Sequence, residues 1–350
     1  MSKKPMRIAD DNGYFDHKIA WYEGGKIRTE KYPAILGSRD EAMTNMNGGY
    51  CDMYQTGDDQ RFVANPDVSK KIPLRNESYG RSPENRVLVN HGLRKAGVEM
   101  GQEVFLLTSL PVRDFFMDDG QVNLELVDAQ KNNMLQPVYA VKNETDKPER
   151  IAHVTQCKVM SEAVAAAFDF LIDETTLEVK TLDAPMAVLD FGGSTFDVVT
   201  LTKQLQVRQS SSGTLRRGTF DIIRPFKKHL KQYLDERGMK LHAVPDWMVT
   251  QALINREVEN TTQGADPQMG SRKLPVDKVI NDSAAPIVNE IKAFVKELLP
   301  NFSEFQAVLL VGGGSLLCRD LFKDWEEEFN FHIADEYSNA RGMLKLATAG

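Results

Sequence analysis

Asp11 and Asp190 each close a short apolar strand and open a glycine-bearing turn. The first segment reads Asp11-Asn12-Gly13-Tyr14-Phe15-Asp16-His17-Lys18, after Met6-Arg7-Ile8-Ala9. The second reads Asp190-Phe191-Gly192-Gly193-Ser194-Thr195-Phe196-Asp197, after Met186-Ala187-Val188-Leu189. A carboxylate at a strand end, beside backbone amides unobstructed by Cβ atoms, suits a phosphate and its counter-ion. In the first turn the amides of Asn12, Gly13, Tyr14 and Phe15 would approach a β- or γ-phosphate, and Lys18 would reach the same oxygens as a point charge. In the second, Gly192, Gly193, Ser194 and Thr195 would supply amides and hydroxyls. Asp190, with Asp11 as its counterpart, would hold a magnesium ion through its water shell. Asp197 alternates along the following strand, where placing an attacking water and structural support are both open to it.

A third turn, Gly312-Gly313-Gly314, follows the strand-like run Ala307-Val308-Leu309-Leu310-Val311 and would let the backbone pass close to a base and ribose. It is not the G-x-G-x-x-G spacing of a dinucleotide fold. Glu162 follows the strand-like Cys157-Lys158-Val159-Met160 and opens a helix at Ser161. A carboxylate there can accept a hydrogen bond from a water aligned with a γ-phosphate, because in-line attack needs orientation more than basicity. The helix dipole also favours a glutamate in the first turn. Two phosphate turns and a later glycine turn suggest one nucleotide clasped between two related domains.

The elements that must hold these turns alternate short strands with longer helices, which predicts α/β layers. A strand meander is expected over Arg7–Ala9, Lys18–Tyr22 and Ile27–Tyr32, and a hairpin of Tyr50–Gln55 with Arg61–Ala64 around Gly57-Asp58-Asp59. A helix over Pro83–Ala96 has proline in its first turn and Gly97 as its stop. The strand Val104–Ser109 follows. Ser161–Ile172 is a helix by spacing, with Ser161 as N-cap and Ala163, Val164, Ala167, Phe168, Leu171 and Ile172 on one face. Helices are also expected over Thr219–Leu234, Trp247–Glu257 and Val276–Leu299, the last kinked or split at Pro286. Asn260–Lys273 reads as a loop. Both halves begin strand, glycine turn, strand, a weak internal symmetry that predicts two lobes around a cleft.

The chain has 350 residues, enough for two domains. With 43 Lys and Arg against 50 Asp and Glu, its net charge of −7 argues against direct grip on nucleic acid, which needs clustered cations. Cys51, Cys157 and Cys318 form neither a disulfide framework nor a zinc pattern. There is no apolar signal core behind Met1-Ser2-Lys3-Lys4-Pro5, and no apolar run of membrane-spanning length, so a cytoplasmic protein without membrane contact is expected.

The order of these motifs resembles the actin-like ATPase superfamily, which groups actin, sugar kinases and chaperone ATPases. Asp11 to Lys18 looks like its first phosphate motif, Asp190 to Asp197 its second, and Val311 to Ser315 its adenosine motif. Within that group the chain looks most like the plasmid-segregation actins of the ParM/StbA family. Further stretches carry the narrower likeness: Thr108-Ser109-Leu110-Pro111-Val112, Lys158-Val159-Met160-Ser161-Glu162, Gly218-Thr219-Phe220-Asp221 and Asn339-Ala340-Arg341-Gly342-Met343.

The resemblance implies an actin-like α/β fold of two related lobes, 1–184 and 185–350, each with an inserted smaller subdomain, at about 34–73 and 206–300. It lets the last helix return to the first lobe. It implies that Glu162 is the hydrolytic glutamate, that Gly218 approaches the ribose, and that Asp16 and His17 vary freely. It further implies ATP and ADP with Mg2+, self-assembly into filaments, and a DNA-binding adaptor of ParR type on a centromere-like plasmid site. GTP stays open, because base discrimination rests on side chains that the motifs do not include. A small-molecule kinase of the same fold and a non-motile actin-like scaffold are the alternatives.

Overall fold

The computed structural model describes residues 4–117, 119–260, 272–328 and 330–349. The chain divides into two compact units. One comprises Met1–Asp183, Val199–Gln209 and Glu336–Gly350, the other Ala184–Val198 and Ser210–Asp335.

In the first unit, alternating apolar residues and the Gly24-Gly25 turn give the expected meander, β1 (Met6–Asn12), β2 (Asp16–Glu23) and β3 (Lys26–Pro33). Two parallel strands, β7 (Gln102–Leu110) and β10 (Ala152–Ser161), complete a five-stranded sheet in the order β10-β7-β1-β2-β3. A smaller sheet takes its strands from two stretches of chain. It consists of β4 (Gly37–Ser38), β5 (Met53–Thr56), β6 (Arg61–Val63), β8 (Val138–Ala140) and β9 (Glu149–Arg150), in the order β4-β6-β5-β8-β9. The helix α1 (Pro83–Lys95) starts where the Ser82 side chain accepts from the Asn85 amide, and Gly97 follows its end at φ +78°. The short α2 (Val112–Phe115) and α3 (Leu124–Met134) follow β7.

One face of the large sheet buries Ile8, Leu106 and Val159 together with Leu88 of α1 and Met134 of α3. The other buries Ala9, Ala20 and Leu107 beneath α4 (Glu162–Leu171) and the C-terminal helix, α10 (Ser338–Ala349). The apolar stripe expected on α4 is too narrow: Ala165 and Ala166 are buried as well, while Val164 and Phe168 are only half-buried. The sheet and α10 cover two sides of the helix. Arg341 and Lys345 of α10 both reach Asp169 of α4, at 2.7 and 2.8 Å.

A second sheet repeats the topology. Strands β11 (Met186–Phe191), β12 (Phe196–Leu201), β13 (Gly213–Leu215), β16 (Ala307–Val311) and β17 (Phe331–Ile333) form a sheet in the order β13-β12-β11-β16-β17, with β16 parallel to both neighbours. Each strand of this sheet has its counterpart in the first, β11 standing for β1 and β16 for β7. The helices are α5 (Thr219–Glu236), α6 (Asp246–Asn255), α7 (Asp277–Leu298), α8 (Gly313–Leu317) and α9 (Lys323–Glu326).

Pro286 does not split α7, which runs unbroken for 22 residues. The proline removes one backbone donor, whereas burial of Val279, Ile280, Ala284, Val288, Ile291 and Val295 holds both halves in one helix. α6 stops at Arg256, in the left-handed region at φ 57°. Strands β14 (Glu257–Asn260) and β15 (Arg272–Pro275) then form a hairpin at the margins of the expected loop. The rest of that loop, 261–271, lies outside the described residues.

Candidate functional site

In the first unit, β1, β7 and β10 run parallel and end together, with Asp10 paired to Thr108 and Ser161 to Leu110. Ligands of open α/β sheets bind at such carboxyl ends. Asp11 is buried there. Its carboxylate accepts from Ser109 Oγ at 3.2 Å and lies 3.6 Å from Lys18 Nζ, directly across the β1–β2 ladder. Asn12 Oδ1 accepts from Thr108 Oγ1 at 2.5 Å and from the Ser109 amide at 3.2 Å. Gln130 of α3 donates to Thr108 Oγ1 and to the Ser109 carbonyl, at 3.1 and 2.9 Å. Three elements therefore hold the base of the turn. A Cβ on Gly13 would lie 2.8 Å from the Asp16 carbonyl oxygen, so only glycine lets the hairpin close this tightly.

Tyr14 and Phe15 complete the turn. Tyr14 donates its hydroxyl to the Asn76 carbonyl at 3.3 Å, while the Phe15 carbonyl accepts from the Ala34 amide at 2.8 Å. Glu162 opens α4 just beyond β10 and comes near enough to Tyr14 for its charge to matter. Burial chiefly, then the charges of Asp114 and Glu162, raise the Tyr14 hydroxyl above its ordinary range. Glu162 and the first turn thus lie at the same carboxyl end of the sheet. Ser161 occupies the N-cap as expected but caps nothing: its hydroxyl is buried without a partner.

In the second unit, Asp190, the penultimate residue of β11, pairs with Val311, the last residue of β16. Its carboxylate is buried. Gly312 sits at φ +87°, and a Cβ there would stand 2.6 Å from both Asp190 Oδ1 and the Phe191 carbonyl oxygen. A Cβ on Gly314 would lie 2.3 Å from the Phe191 ring. These two glycines of the third turn thus fit the Asp190-Phe191 step closely, with Gly313 between them starting α8. Phe191 and Phe196 are fully buried and meet edge-on, with ring centroids 5.6 Å apart, so their bulk serves the core.

Between β11 and β12 the Gly192 amide donates to the Thr195 carbonyl at 3.0 Å. The first amides of α5 close onto this turn: Thr219 donates to the Gly192 carbonyl at 3.1 Å and Phe220 to the Gly193 carbonyl at 2.9 Å. A Cβ on Gly218 would lie 2.6 Å from the Ser194 amide nitrogen, so Gly218 permits close packing of α5 on the second glycine turn. Asp221 fixes the approach by accepting from the Gly218 amide at 2.9 Å. Ser194 Oγ is buried with no hydrogen-bond partner. Asp197 is buried and accepts from Thr195 Oγ1 at 2.8 Å and from the Thr214 hydroxyl.

Among the described residues no group of three or more His, Cys, Asp or Glu side chains could hold a metal ion by itself. One buried carboxylate at each turn suits instead an ion that keeps its water and takes further ligands from phosphate oxygens. The orphaned Ser194 hydroxyl fits the same ligand.

The sequence reading gave no role to Thr108, Ser109, Gln130, Asp10 or His17. Thr108 and Ser109 close a strand as Asp11 does and open one of the stretches that carry the family likeness, but neither signal tied them to the turn. Gln130 joins them through the packing of α3, and no local pattern announces that.

Two topologically equivalent five-stranded sheets with glycine turns at matching strand ends define an actin-like fold. An archaeal actin homologue superposes with a TM-score of 0.71 at 18% identity, over 99% of this chain and 100% of that one. ParM of Bacillus thuringiensis, solved with ATP, gives 0.67 at 16% identity over 99% of each. ParM in a 15-stranded filament from Clostridium botulinum gives 0.66 at 16%, over 99% and 100%. The model of the N-terminal part of plasmid segregation protein ParM matches residues 6–173, and that of the C-terminal part of archaeal MreB-like actin homologues matches 188–324. The chain belongs to the actin-like ATPase family, with its N-terminal half of ParM type. Among curated protein sequences, none matches it.

Proposed function

We propose that this chain binds and hydrolyses ATP, assembles with itself into filaments, and moves plasmid copies apart, hydrolysis destabilising the filament. The observation that carries the reading is the repeated pairing of a buried strand-end carboxylate with a glycine turn, Asp11 with Gly13 and Asp190 with Gly192-Gly193. The remaining turn amides, that of Thr195 among them, and the Ser194 hydroxyl would hold phosphate oxygens, and Lys18 would add positive charge. A magnesium ion held through water by Asp190, with Asp11 as the second carboxylate, would neutralise charge that develops on the phosphates.

Glu162 would orient the attacking water, which needs position more than basicity. Asp197, held by two threonine hydroxyls, would brace the second turn. The Gly312–Gly314 turn would admit the adenosine end, and Gly218 would act through the packing of α5. Filament formation and ATP binding in the structurally similar ParM proteins support the reading. A DNA-binding adaptor of ParR type on a centromere-like plasmid site would couple the filament to its cargo, since a chain of net charge −7 is poorly suited to hold DNA itself. No helix among the described residues is long and apolar enough to cross a membrane, and a bacterial cytoplasm is the proposed setting.

High-speed sedimentation with magnesium and ATP, ADP or no nucleotide tests the proposal, with Asp190→Ala and Glu162→Ala alongside. ATP-dependent pelleting that Asp190→Ala abolishes and Glu162→Ala prolongs is the expected result. ATP binding with no pelleting at roughly tens of micromolar would remove the filament claim. Phosphoryl transfer to an added sugar would favour a kinase, and assembly without turnover a scaffold.

A further inference from the structure

Beneath the first phosphate turn lies a buried polar cluster that the proposed chemistry does not use. Asp10 and His17 are both fully buried; Asp10 lies one residue inside Asp11 on β1, and His17 one residue nearer the turn than Lys18 on β2. His17 Nδ1 lies 2.9 Å from Asp10 Oδ1, and His17 Nε2 lies 2.7 Å from the Tyr79 hydroxyl. Tyr32 donates to Asp10 Oδ2 at 2.7 Å, leaving that carboxylate satisfied on both oxygens. The tautomer that fits donates its Nδ1 proton to Asp10 and accepts the Tyr79 proton at Nε2. Burial first, and then Asp10, hold the Tyr79 hydroxyl well above its ordinary range, so it remains a proton donor.

Tyr79 belongs to the 3-10 turn just before α1, and its ring lies 5.1 Å from that of Tyr14, the central residue of the phosphate turn. Tyr14 in turn donates to Asn76, three residues before Tyr79. The cluster thus joins the ends of both turn strands to the segment that enters α1.

Burying such groups costs desolvation, and apolar residues of similar volume often stabilise a core as well or better. What hydrogen bonds add is a single geometry. We infer that Asp10, His17 and Tyr79 are positioning residues that hold the first turn in its phosphate-binding shape, Tyr79 acting through His17. The inference rests on the ATP reading above. It predicts that loosening the cluster weakens recognition of the phosphates and leaves recognition of the nucleoside alone.

Calorimetric titration of the full chain with ATP, ADP and adenosine, beside thermal unfolding, tests this in wild type, Tyr79→Phe and His17→Gln. Tyr79→Phe keeps the ring against Tyr14 and removes one hydroxyl, so it carries the test even if His17→Gln does not fold. The expected result is a loss of about five- to tenfold in ATP and ADP affinity, with adenosine within about twofold of wild type. In the double variant the loss is no greater than in the worse single one, because both act through one chain of bonds. Lower stability with all three affinities unchanged would make the cluster structural only and overturn the inference. An equal loss for adenosine would overturn it too. Wild-type protein that binds none of the three ligands would remove the ATP reading itself, before any variant is compared, and the inference with it.

Discussion

The first and second glycine turns occupy equivalent places on topologically matching sheets, yet they are braced by different chemistry. Under the first, a carboxylate, an imidazole and two phenols form a buried hydrogen-bonded cluster. Under the second, Phe191 packs edge-on against Phe196 and Phe322, and the third glycine turn closes over its ring. Strand-turn-strand geometry is a backbone property, and either support can hold it. The supports differ in how they fail. A hydrogen-bonded brace depends on direction and proton count, whereas an aromatic brace depends on volume.

The largest effect should come from volume. Gly314→Ala drives a methyl into the Phe191 ring and should cost about 3 kcal/mol in denaturant unfolding. In a Phe191→Ala background the same substitution should cost at least about 1 kcal/mol less, because that truncation removes the ring atoms the methyl meets. Strict additivity of the two would show that the ring is not the obstacle. Gly13→Ala in the first turn meets a backbone carbonyl, so no second-site substitution of this kind should relieve it.

Proton count separates the units next. His91 of α1 accepts from or donates to the Tyr54 hydroxyl at 2.7 Å, and burial, then Lys95 and Arg94, push it from 6.5 down to about 3. A histidine held neutral in the fold binds its proton more readily in the unfolded chain. Its contribution is therefore complete above about pH 6.5 and is lost as pH falls toward 3. Between pH 6.5 and 5 the wild type should lose about 2 kcal/mol that His91→Gln does not. Parallel stability curves for the two proteins over that range would refute the assignment.

The smallest effects distinguish support from ligand contact within the second turn. Thr195→Val deletes a bond to Asp197 and should cost about 1 kcal/mol of stability. Ser194→Ala deletes a hydroxyl that has no partner and should leave stability within about 0.5 kcal/mol, while weakening ATP binding. A destabilised Ser194→Ala with wild-type ATP affinity would remove Ser194 from the proposed site.

Much of this arrangement was legible along the chain because it is local. Strand, carboxylate and glycine fall within a few residues of each other, so Asp11 and Asp190 could be found without knowing their neighbours. The boundaries of α1 followed from a proline in its first turn and a glycine at its end. Where local rules failed, burial overrode them. Pro286 sits inside one continuous helix because its apolar face is held on both sides of the proline, and α4 is buried more widely than its stripe because α10 covers it. Ser161 has the sequence of an N-cap, yet its hydroxyl bonds to nothing. His17, which looked interchangeable in its motif, is wholly buried against Asp10, diagonally across on β1, and Tyr79, 62 residues away.

The sequence by itself determined the turns, their order and their chemistry, since a glycine's missing Cβ and a strand-end carboxylate act over a single turn of backbone. Tertiary structure decided what surrounds them. That Gly312 and Gly314 close over Asp190 and Phe191, that Gly218 lets α5 seat on the Gly193-Ser194 step, and that a tyrosine before α1 completes a hydrogen-bond chain to Asp10 are contacts between residues 62 or more apart, or across separate elements. Such contacts are selected by the packing of whole sheets and helices, for which no short stretch of sequence carries a sign.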